Sequence, residues 1–206
     1  MIKEVFDILI NNHLTPYLNT KVTGPSADGD WVLPCNISEI DNATDDIPKG
    51  KIIMSLVNIE EDRVYKVNDT RIYSNNPVKP AYQKPPVYLN LYVLFASNFS
   101  SANSGDNYLD GLNLISFVIQ FFQHQNVFTP ENSPAMADAG IEELIFDLRT
   151  LSFQDLNNLW GVLGAKYLPS VLYKVRLLTI TEDFAQGTVP FVKKISIDDA
   201  KTLSGQ

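Results

Sequence analysis

The sequence contains very little cysteine and comparatively little positive charge. Cys35 is the only cysteine among 206 residues, so an intrachain disulfide and a cluster of thiolate metal ligands are both excluded. The chain has 16 lysines and arginines against 24 aspartates and glutamates, which gives a formal net charge of -8. Nucleic-acid-binding proteins need a basic face to neutralise phosphate, and anionic membrane surfaces attract basic segments. The composition therefore argues against nucleic acid and membranes as partners.

Signals for secretion, membrane insertion and phosphate binding are also missing. Lys3, Glu4 and Asp7 interrupt the apolar residues near the start, unlike the uninterrupted apolar core of a signal peptide. No run approaches the ~18 apolar residues of a transmembrane helix. Neither a P-loop nor a dinucleotide-binding glycine pattern occurs. The sequence predicts a protein that is assembled in the cytoplasm, without direct membrane insertion and without a cofactor.

Apolar periodicity predicts that helices and strands alternate along the chain. Residues 2–14 have helical spacing and should form a helix that ends before Pro16, because a residue that precedes proline avoids the helical conformation. A longer, deeply packed helix is expected from residue 108 to 122. Strands are predicted at residues 31–37, 51–59, 86–99, 142–148 and 170–180, and a capping box at Ser152 and Asp155 should open a short helix. This order predicts an α+β (mixed α/β) domain with a central, mostly antiparallel or mixed sheet flanked by helices.

The composition changes near residue 182. We predict one domain over residues 1–182 and a carboxy-terminal arm over residues 183–206. Glycine, proline and several charges make the arm unlike a core segment, yet some of its residues are too apolar for a linker: Val189, Phe191, Val192, Ile195 and Ile197. An extended segment of this kind can pair with the edge of a partner's sheet. The apolar residues of the arm therefore indicate a partner, and a tail that is disordered or folded onto its own domain is the alternative.

The strand at residues 51–59 runs directly into four charged residues, Glu60, Glu61, Asp62 and Arg63. A general acid/base pair needs two carboxyl groups whose environments separate their pKa values. Adjacent residues of a strand point to opposite faces, so Glu60 and Glu61 should not share one proton. A solvated strand end is the simplest interpretation of this cluster, and a contact between subunits is the functional interpretation.

Structural roles are favoured for the histidines, the cysteine and the aromatic residues. His13 and His124 lie near predicted helix ends, where an imidazole can satisfy terminal carbonyl groups, and neither has a partner at metal-ligand spacing. Cys35 follows a proline in a strand-like run and is expected to be a buried, inert thiol. The aromatic residues have core spacing, although they could line a ligand pocket: Tyr88, Tyr92, Phe117, Phe121, Phe122, Trp160 and Tyr173.

Four long stretches together resemble a known family. In chain order they are IIMSLVNIEEDR, PPVYLNLYVLFASNF, YLDGLNLISFVIQFFQHQNVF and LSFQDLNNLWGVLGAKYLPSVLYKVRLLTI. With these stretches the sequence resembles the cap, or tail-terminator, proteins of phage-tail-like contractile injection systems of the virulence-cassette and antifeeding-prophage type. The resemblance extends over residues 2–182 and does not include the arm.

The resemblance implies a structural role and no enzymatic activity. Members of this family form a ring, taken to be six-fold, at the distal end of the inner tube and sheath, and they end polymerisation there. A ring of this kind has closed cyclic symmetry with head-to-tail interfaces. The expected partners are other copies of the chain in a homo-hexamer, the inner tube protein and the sheath protein. In this setting Glu60, Glu61, Asp62 and Arg63 would set the register between neighbours, and residues 188–197 of the arm would add a strand to the exposed edge of the last sheath layer.

Two other classes of function stay open at this point. A hydrolase or transferase would bring the acidic residues together in a concave pocket. A small-ligand-binding module would enclose a cavity lined by the aromatic residues. The assembly interpretation instead predicts a filled core, no notable pocket, and a ring or an oligomer that forms in a concentration-dependent way.

Overall fold

Six strands form one mixed sheet, and helices lie on both of its faces. The structure is a computed structural model that describes residues 1–22, 29–40, 50–62, 64, 87–99 and 108–180, all of which belong to one compact unit. The strands are β1 (Val32–Pro34), β2 (Lys51–Glu61), β3 (Val87–Asn98), β4 (Val127–Phe128), β5 (Leu144–Arg149) and β6 (Ser170–Ile180), in the spatial order β1-β2-β3-β6-β5-β4. The predicted α+β fold class is confirmed.

The positions of β3 and β1 in the sheet agree with their side chains. β3 lies between β2 and β6, in agreement with its two apolar faces, since only a strand covered on both sides can bury both. β1 is the one strand of the described sheet that runs parallel to its neighbour, and it pairs with β2 from Val32 opposite Ile52 to Pro34 opposite Met54. Pro34 lies in this edge strand, where a residue without an N–H breaks no ladder bond if its nitrogen faces away from the neighbouring strand.

The amino-terminal helix continues beyond the point where the sequence predicts its end. α1 (Ile2–Ile8) leads into a π-helical segment (Leu9–Leu14) and then into α2 (Thr15–Lys21), so the prediction that the helix ends before Pro16 is wrong. An α-helical proline lacks an N–H and clashes with the carbonyl group four residues earlier. In the wider π turn the Thr15 N–H bonds to the Ile10 carbonyl group, and the chain enters α2 with Pro16 in its first turn.

The remaining helices are α3 (Tyr108–His124), α4 (Ala135–Asp138) and α5 (Phe153–Leu163). The predicted helix start at Ser152 is confirmed, because Ser152 Oγ accepts the Asp155 N–H at 3.1 Å; the Ser152 hydroxyl group in turn donates to Asp155 Oδ2 at 2.7 Å. α5 ends at Gly164, whose φ of 66° is a left-handed conformation that glycine adopts without strain. Residues 126–140 contain β4 and α4, for which the sequence predicts no element, because both are too short to produce a periodic pattern.

Aromatic side chains fill the core between the sheet and helices α1 to α3. The ring of Phe122 lies 4.6 Å from that of Phe146, 4.5 Å from that of Tyr173 and 5.5 Å from that of Phe95, measured between centroids. Burial raises the pKa of Tyr173 to about 12, so this phenol stays protonated at any physiological pH. The predicted core role of Phe121, Phe122 and Tyr173 is confirmed.

A smaller apolar cluster lies on the opposite face of the sheet, under α5. It consists of Ile37, Leu94, Ala96, Trp160 and Leu172, and Ile37 reaches it from a 3-10 turn (Ile37–Glu39) that follows β1. The cluster occupies only one end of this face. The other end carries polar side chains, among them Glu60, Tyr92 and Lys174.

His13 contacts the region between β4 and α4 and does not cap a helix. It lies within the π-helical segment, and its Nε2 is 2.8 Å from Ser133 Oγ while its ring packs edge-on against Phe128 at 5.0 Å. The predicted helix-end role is therefore wrong for His13, because the helix does not end there. His124 is the last residue of α3, as predicted. Cys35 is half-buried, and so is less enclosed than predicted.

The burial of His13 makes stability depend on pH. Desolvation lowers the pKa of His13 below its usual value of 6.5, so the folded chain binds this proton less readily than the unfolded chain. Stability from this residue is therefore present above pH 6.5 and is lost as the pH falls through that value. We expect the thermal midpoint to drop between pH 7.5 and 5.5, and to drop less in His13→Gln. His124→Gln is the matched control, and an equal drop in His13→Gln would contradict the assignment.

Candidate subunit interface

A row of polar and charged side chains crosses four neighbouring strands on the sheet face that carries α5. It starts at Glu60 in β2, passes through Tyr92 in β3 and Lys174 in β6, and ends at Asp147 in β5. Lys174 is the ladder partner of Tyr92 on one side and of Asp147 on the other, so these three side chains point to the same face. We call these residues, together with Arg176, the charged row.

Glu60 is bound within its own domain. Tyr92 Oη donates a hydrogen bond to Glu60 Oε2 at 2.7 Å, and Lys174 Nζ lies 3.8 Å from the same oxygen. The ammonium group is also 5.7 Å from the centroid of the Tyr92 ring, within the range of a cation–π contact. Burial, and then the hydrogen bond to the Glu60 carboxylate, raise the pKa of Tyr92, so the phenol remains a donor. Three strands are thereby joined through side chains.

Asp62 ends β2 with a second set of hydrogen bonds. Its Oδ1 accepts the Val64 N–H at 2.9 Å, its Oδ2 accepts a hydrogen bond from Asn90 Nδ2 at 3.1 Å, and its own N–H bonds to the Tyr88 carbonyl group at 2.8 Å. Asn90 is only 2% exposed, and its Oδ1 accepts no hydrogen bond in the described structure. At the polar end of this face, Asp62 therefore links β2 to β3 by hydrogen bonds, as Glu60 does in the charged row.

An ion pair lies at the other end of the charged row. Arg176 Nε donates to Asp147 Oδ2 at 2.5 Å, and the two side chains are 38% and 41% exposed. Exposed ion pairs of this kind contribute at most about 1 kcal/mol to stability, because water and salt screen them. Their alternating signs are better suited to recognition of a partner surface than to stabilisation of the fold.

The structure separates the predicted acidic cluster. Glu60 lies opposite Asn90 and Glu61 opposite Leu89, so the two glutamates point to opposite faces, as expected for adjacent strand residues. Arg63 lies outside the described residues. Among the residues that the structure describes, no three carboxylate, imidazole or thiol side chains are grouped so that they could hold a metal ion. Glu60 and Asp62 bind their own domain, and Glu61 lies exposed on the other face.

The sequence does not predict most of the charged row. It predicts a core or pocket role for Tyr92 and a strand over residues 170–180, which contains Lys174 and Arg176. The available signal was their alternation with apolar residues along β6, which marks one face as polar. The predicted arm residues Val189, Phe191, Val192, Ile195 and Ile197 lie outside the described residues, so their strand character stays a prediction.

The described residues form an α+β domain with a mixed six-stranded sheet, and the charged row lies on the sheet face that carries α5. Within the described ranges, no helix combines the length and the apolar composition needed to cross a membrane.

Comparison with known proteins identifies the family. Residues 9–194 match the model of the Pvc16 N-terminal domain, and the chain belongs to that family. No curated protein is similar in sequence. The fold is similar to that of the PVC sheath/tube terminator of an extracellular contractile injection system in the extended state, with a TM-score of 0.60 and 14% identity over 99% of this chain and 65% of the other.

A second solved structure has the same fold. The anti-feeding prophage cap, a tube-terminating cap, matches with a TM-score of 0.57 and 18% identity over 92% of this chain and 60% of the other. The chain thus spans less than two thirds of the length of either protein. The predicted resemblance to the cap proteins of contractile injection systems is confirmed.

Proposed function

We propose that this chain is a terminator of a contractile injection system, which ends polymerisation of the inner tube and the sheath at their distal end. The observation that carries the proposal is the family match over residues 9–194, and the fold shared with two terminators supports it. The chain acts as a homo-hexameric ring, and its partners are further copies of itself, the tube protein and the sheath protein. The particle is assembled in the cytoplasm.

The role is structural and not enzymatic. Three of the aromatic residues that could have lined a ligand cavity pack together, with ring centroids 5.0 Å apart for Phe121 and Phe122 and 4.5 Å apart for Phe122 and Tyr173. The carboxylates of Glu60, Asp62 and Asp147 are bound to neighbouring side chains of the same domain. Such an arrangement offers a shaped, charged surface to a partner, and charge complementarity sets the register of such contacts.

Removal of the gene should abolish control of particle length. We expect particles from the deletion strain to have a broad distribution of tube and sheath lengths and irregular distal ends in electron micrographs, since nothing stops the addition of subunits. Expression of the wild-type chain from a plasmid should restore a single length. Particles of uniform length with ordinary distal ends in the deletion strain would contradict the proposed function.

A further inference from the structure

A groove lies at the end of β5, where the chain turns towards α5, and all of its lining residues are described. Its volume is about 250 Å³. Six of the lining side chains are aliphatic: Leu94, Leu148, Leu151, Leu156, Val171 and Leu172. A cavity of about 150 Å³ can hold a benzene molecule, so this groove has room for one branched aliphatic side chain. We call it the β5 groove.

The apolar lining of the β5 groove is exposed at its rim. Leu94 and Leu172 are buried and form the floor, whereas Leu148 at the end of β5 is 53% exposed. Phe153 follows closely in the sequence, but it is 92% exposed and therefore does not fill the groove. An aliphatic groove with an exposed apolar rim is typical of a surface that a partner covers.

Arg149 adds a positive charge to the β5 groove. It lines the groove beside Leu148 and is exposed, and within the described residues its guanidinium group forms neither a hydrogen bond nor an ion pair. Arg176, by contrast, is bound to Asp147. A carboxylate beside Arg149 would therefore complement the charge at the rim. The occupant that this groove fits is an apolar side chain with an acidic neighbour.

The far end of β2 carries such a combination. Ile59 is 46% exposed although it is apolar, and Val87 at the start of β3 is 44% exposed. Glu61 is exposed as well, and it projects to the same face as Ile59 because it is two residues further along the strand. Their ladder partners in β3 alternate with Val87, so all three side chains lie on one face. We call these three residues the acidic patch.

The acidic patch cannot reach the groove of its own chain. In the strand order β2-β3-β6-β5, three spacings of about 4.8 Å place β2 about 14 Å from β5. Ile59 and Leu148 also lie at different levels, because Ile59 is opposite Leu91 and Leu148 is opposite Tyr173, which pairs with Val93. A contact between patch and groove therefore requires two copies. Two different surfaces on one copy are what a head-to-tail ring needs.

We propose that the acidic patch of one copy docks into the β5 groove of the next copy in the ring, with Ile59 in the groove and Glu61 beside Arg149. The proposal rests on the proposed function, because it needs a ring of several copies. The net charge of -8 makes copies repel one another over most of their surfaces. A local contact between opposite charges would therefore determine which surfaces meet.

The test is disulfide cross-linking in particles from the deletion strain, which receives a plasmid-encoded chain with Cys35→Ala, Ile59→Cys and Leu148→Cys. A disulfide needs Cα atoms about 4.4–6.8 Å apart, so the two new cysteines cannot pair within one chain. On oxidation we expect a ladder of covalent oligomers beyond the dimer, in at least tenfold excess over a control with Val162→Cys in place of Leu148→Cys. Val162 is 86% exposed on α5 and does not line the groove.

Three outcomes would overturn the proposal. The first is particles of uniform length without a ladder above the Val162→Cys control. The second is a covalent dimer of a chain that carries Leu148→Cys alone, because two grooves would then face each other. The third is a disulfide to the tube or sheath protein as the main product, because another protein would then fill the groove. Particle length is measured in the same samples, so each outcome would leave the proposed function standing and reject only this contact.

A charge exchange tests the same contact without new cysteines. Arg149→Glu should broaden the distribution of particle lengths at least twofold, because two carboxylates would then face each other. Glu61→Arg in the same chain restores opposite charges and should restore a single length. An unchanged thermal midpoint of the purified Arg149→Glu chain would show that its fold is intact. A single particle length with Arg149→Glu alone, or no recovery in the double exchange, would overturn the pairing of Arg149 with Glu61.

Discussion

The Phe122→Ala variant is expected to lose about 3–5 kcal/mol of unfolding free energy, the usual cost of removing a fully packed phenylalanine. Phe122 is 2% exposed and joins α3 to three strands through its contacts with Phe95, Phe146 and Tyr173. Truncation would leave a cavity between the helices and the sheet that rigid neighbouring rings cannot fill. Urea denaturation followed by fluorescence and circular dichroism would measure the loss.

A surface phenylalanine provides the control for this substitution. Phe153 is 92% exposed at the start of α5, so Phe153→Ala should change the unfolding free energy by less than about 0.5 kcal/mol. If Phe122→Ala were as stable as Phe153→Ala, the aromatic cluster would be a ligand cavity or a loose region and not a packed core. The comparison therefore tests the filled core on which the structural role depends.

The parts of the fold that could be predicted from the sequence are the long, strongly patterned elements. β2, β3 and β6 have apolar residues on both faces or on alternate positions over more than eight residues, and such runs have few alternative interpretations. The helix start at Ser152 could also be predicted, because the cap is a local interaction between residues three positions apart. Periodic apolar patterns and contacts between near neighbours depend only on the order of residues in the chain, so one sequence is enough to predict them.

The errors have identifiable physical causes. Pro16 ends an ordinary helix, but here a π turn accommodates the proline, and tertiary burial of Leu14 and Leu18 keeps the helix continuous. The role of His13 depends on Ser133, which is 120 positions away in the sequence. Long-range contacts of this kind require the topology, and one sequence does not provide it.

The same limit applies to the candidate interface. Glu60 and Tyr92 are 32 positions apart, and Asp147 and Arg176 are 29 positions apart. The charged row forms only because the sheet places β3 beside β6 and β6 beside β5, an order that skips two strands along the chain. The sequence therefore predicted a charged strand end at Glu60 but not the side chains that bind it.

The Gly111→Ala variant is expected to be destabilised by about 1–2 kcal/mol, although alanine normally stabilises a helix relative to glycine. A Cβ at residue 111 would overlap Ser97 Oγ and would lie 2.7 Å from a ring carbon of Phe99, so α3 would have to move away from β3. Overpacking in a core costs about 1–3 kcal/mol, which exceeds the gain of up to about 1 kcal/mol in helix propensity. Thermal and urea denaturation would measure the net effect.

A glycine-to-alanine substitution in α5 separates the gain in helix propensity from the cost of overpacking. A Cβ at Gly161 would meet no atom within 4 Å, so Gly161→Ala should stabilise the chain by about 0.5–1 kcal/mol. Ser97→Ala in the Gly111→Ala background removes the overlapping hydroxyl group and should recover part of the loss. If Gly111→Ala were as stabilising as Gly161→Ala, α3 would not lie in direct contact with β3, and the helix that covers the aromatic core would have to be placed differently.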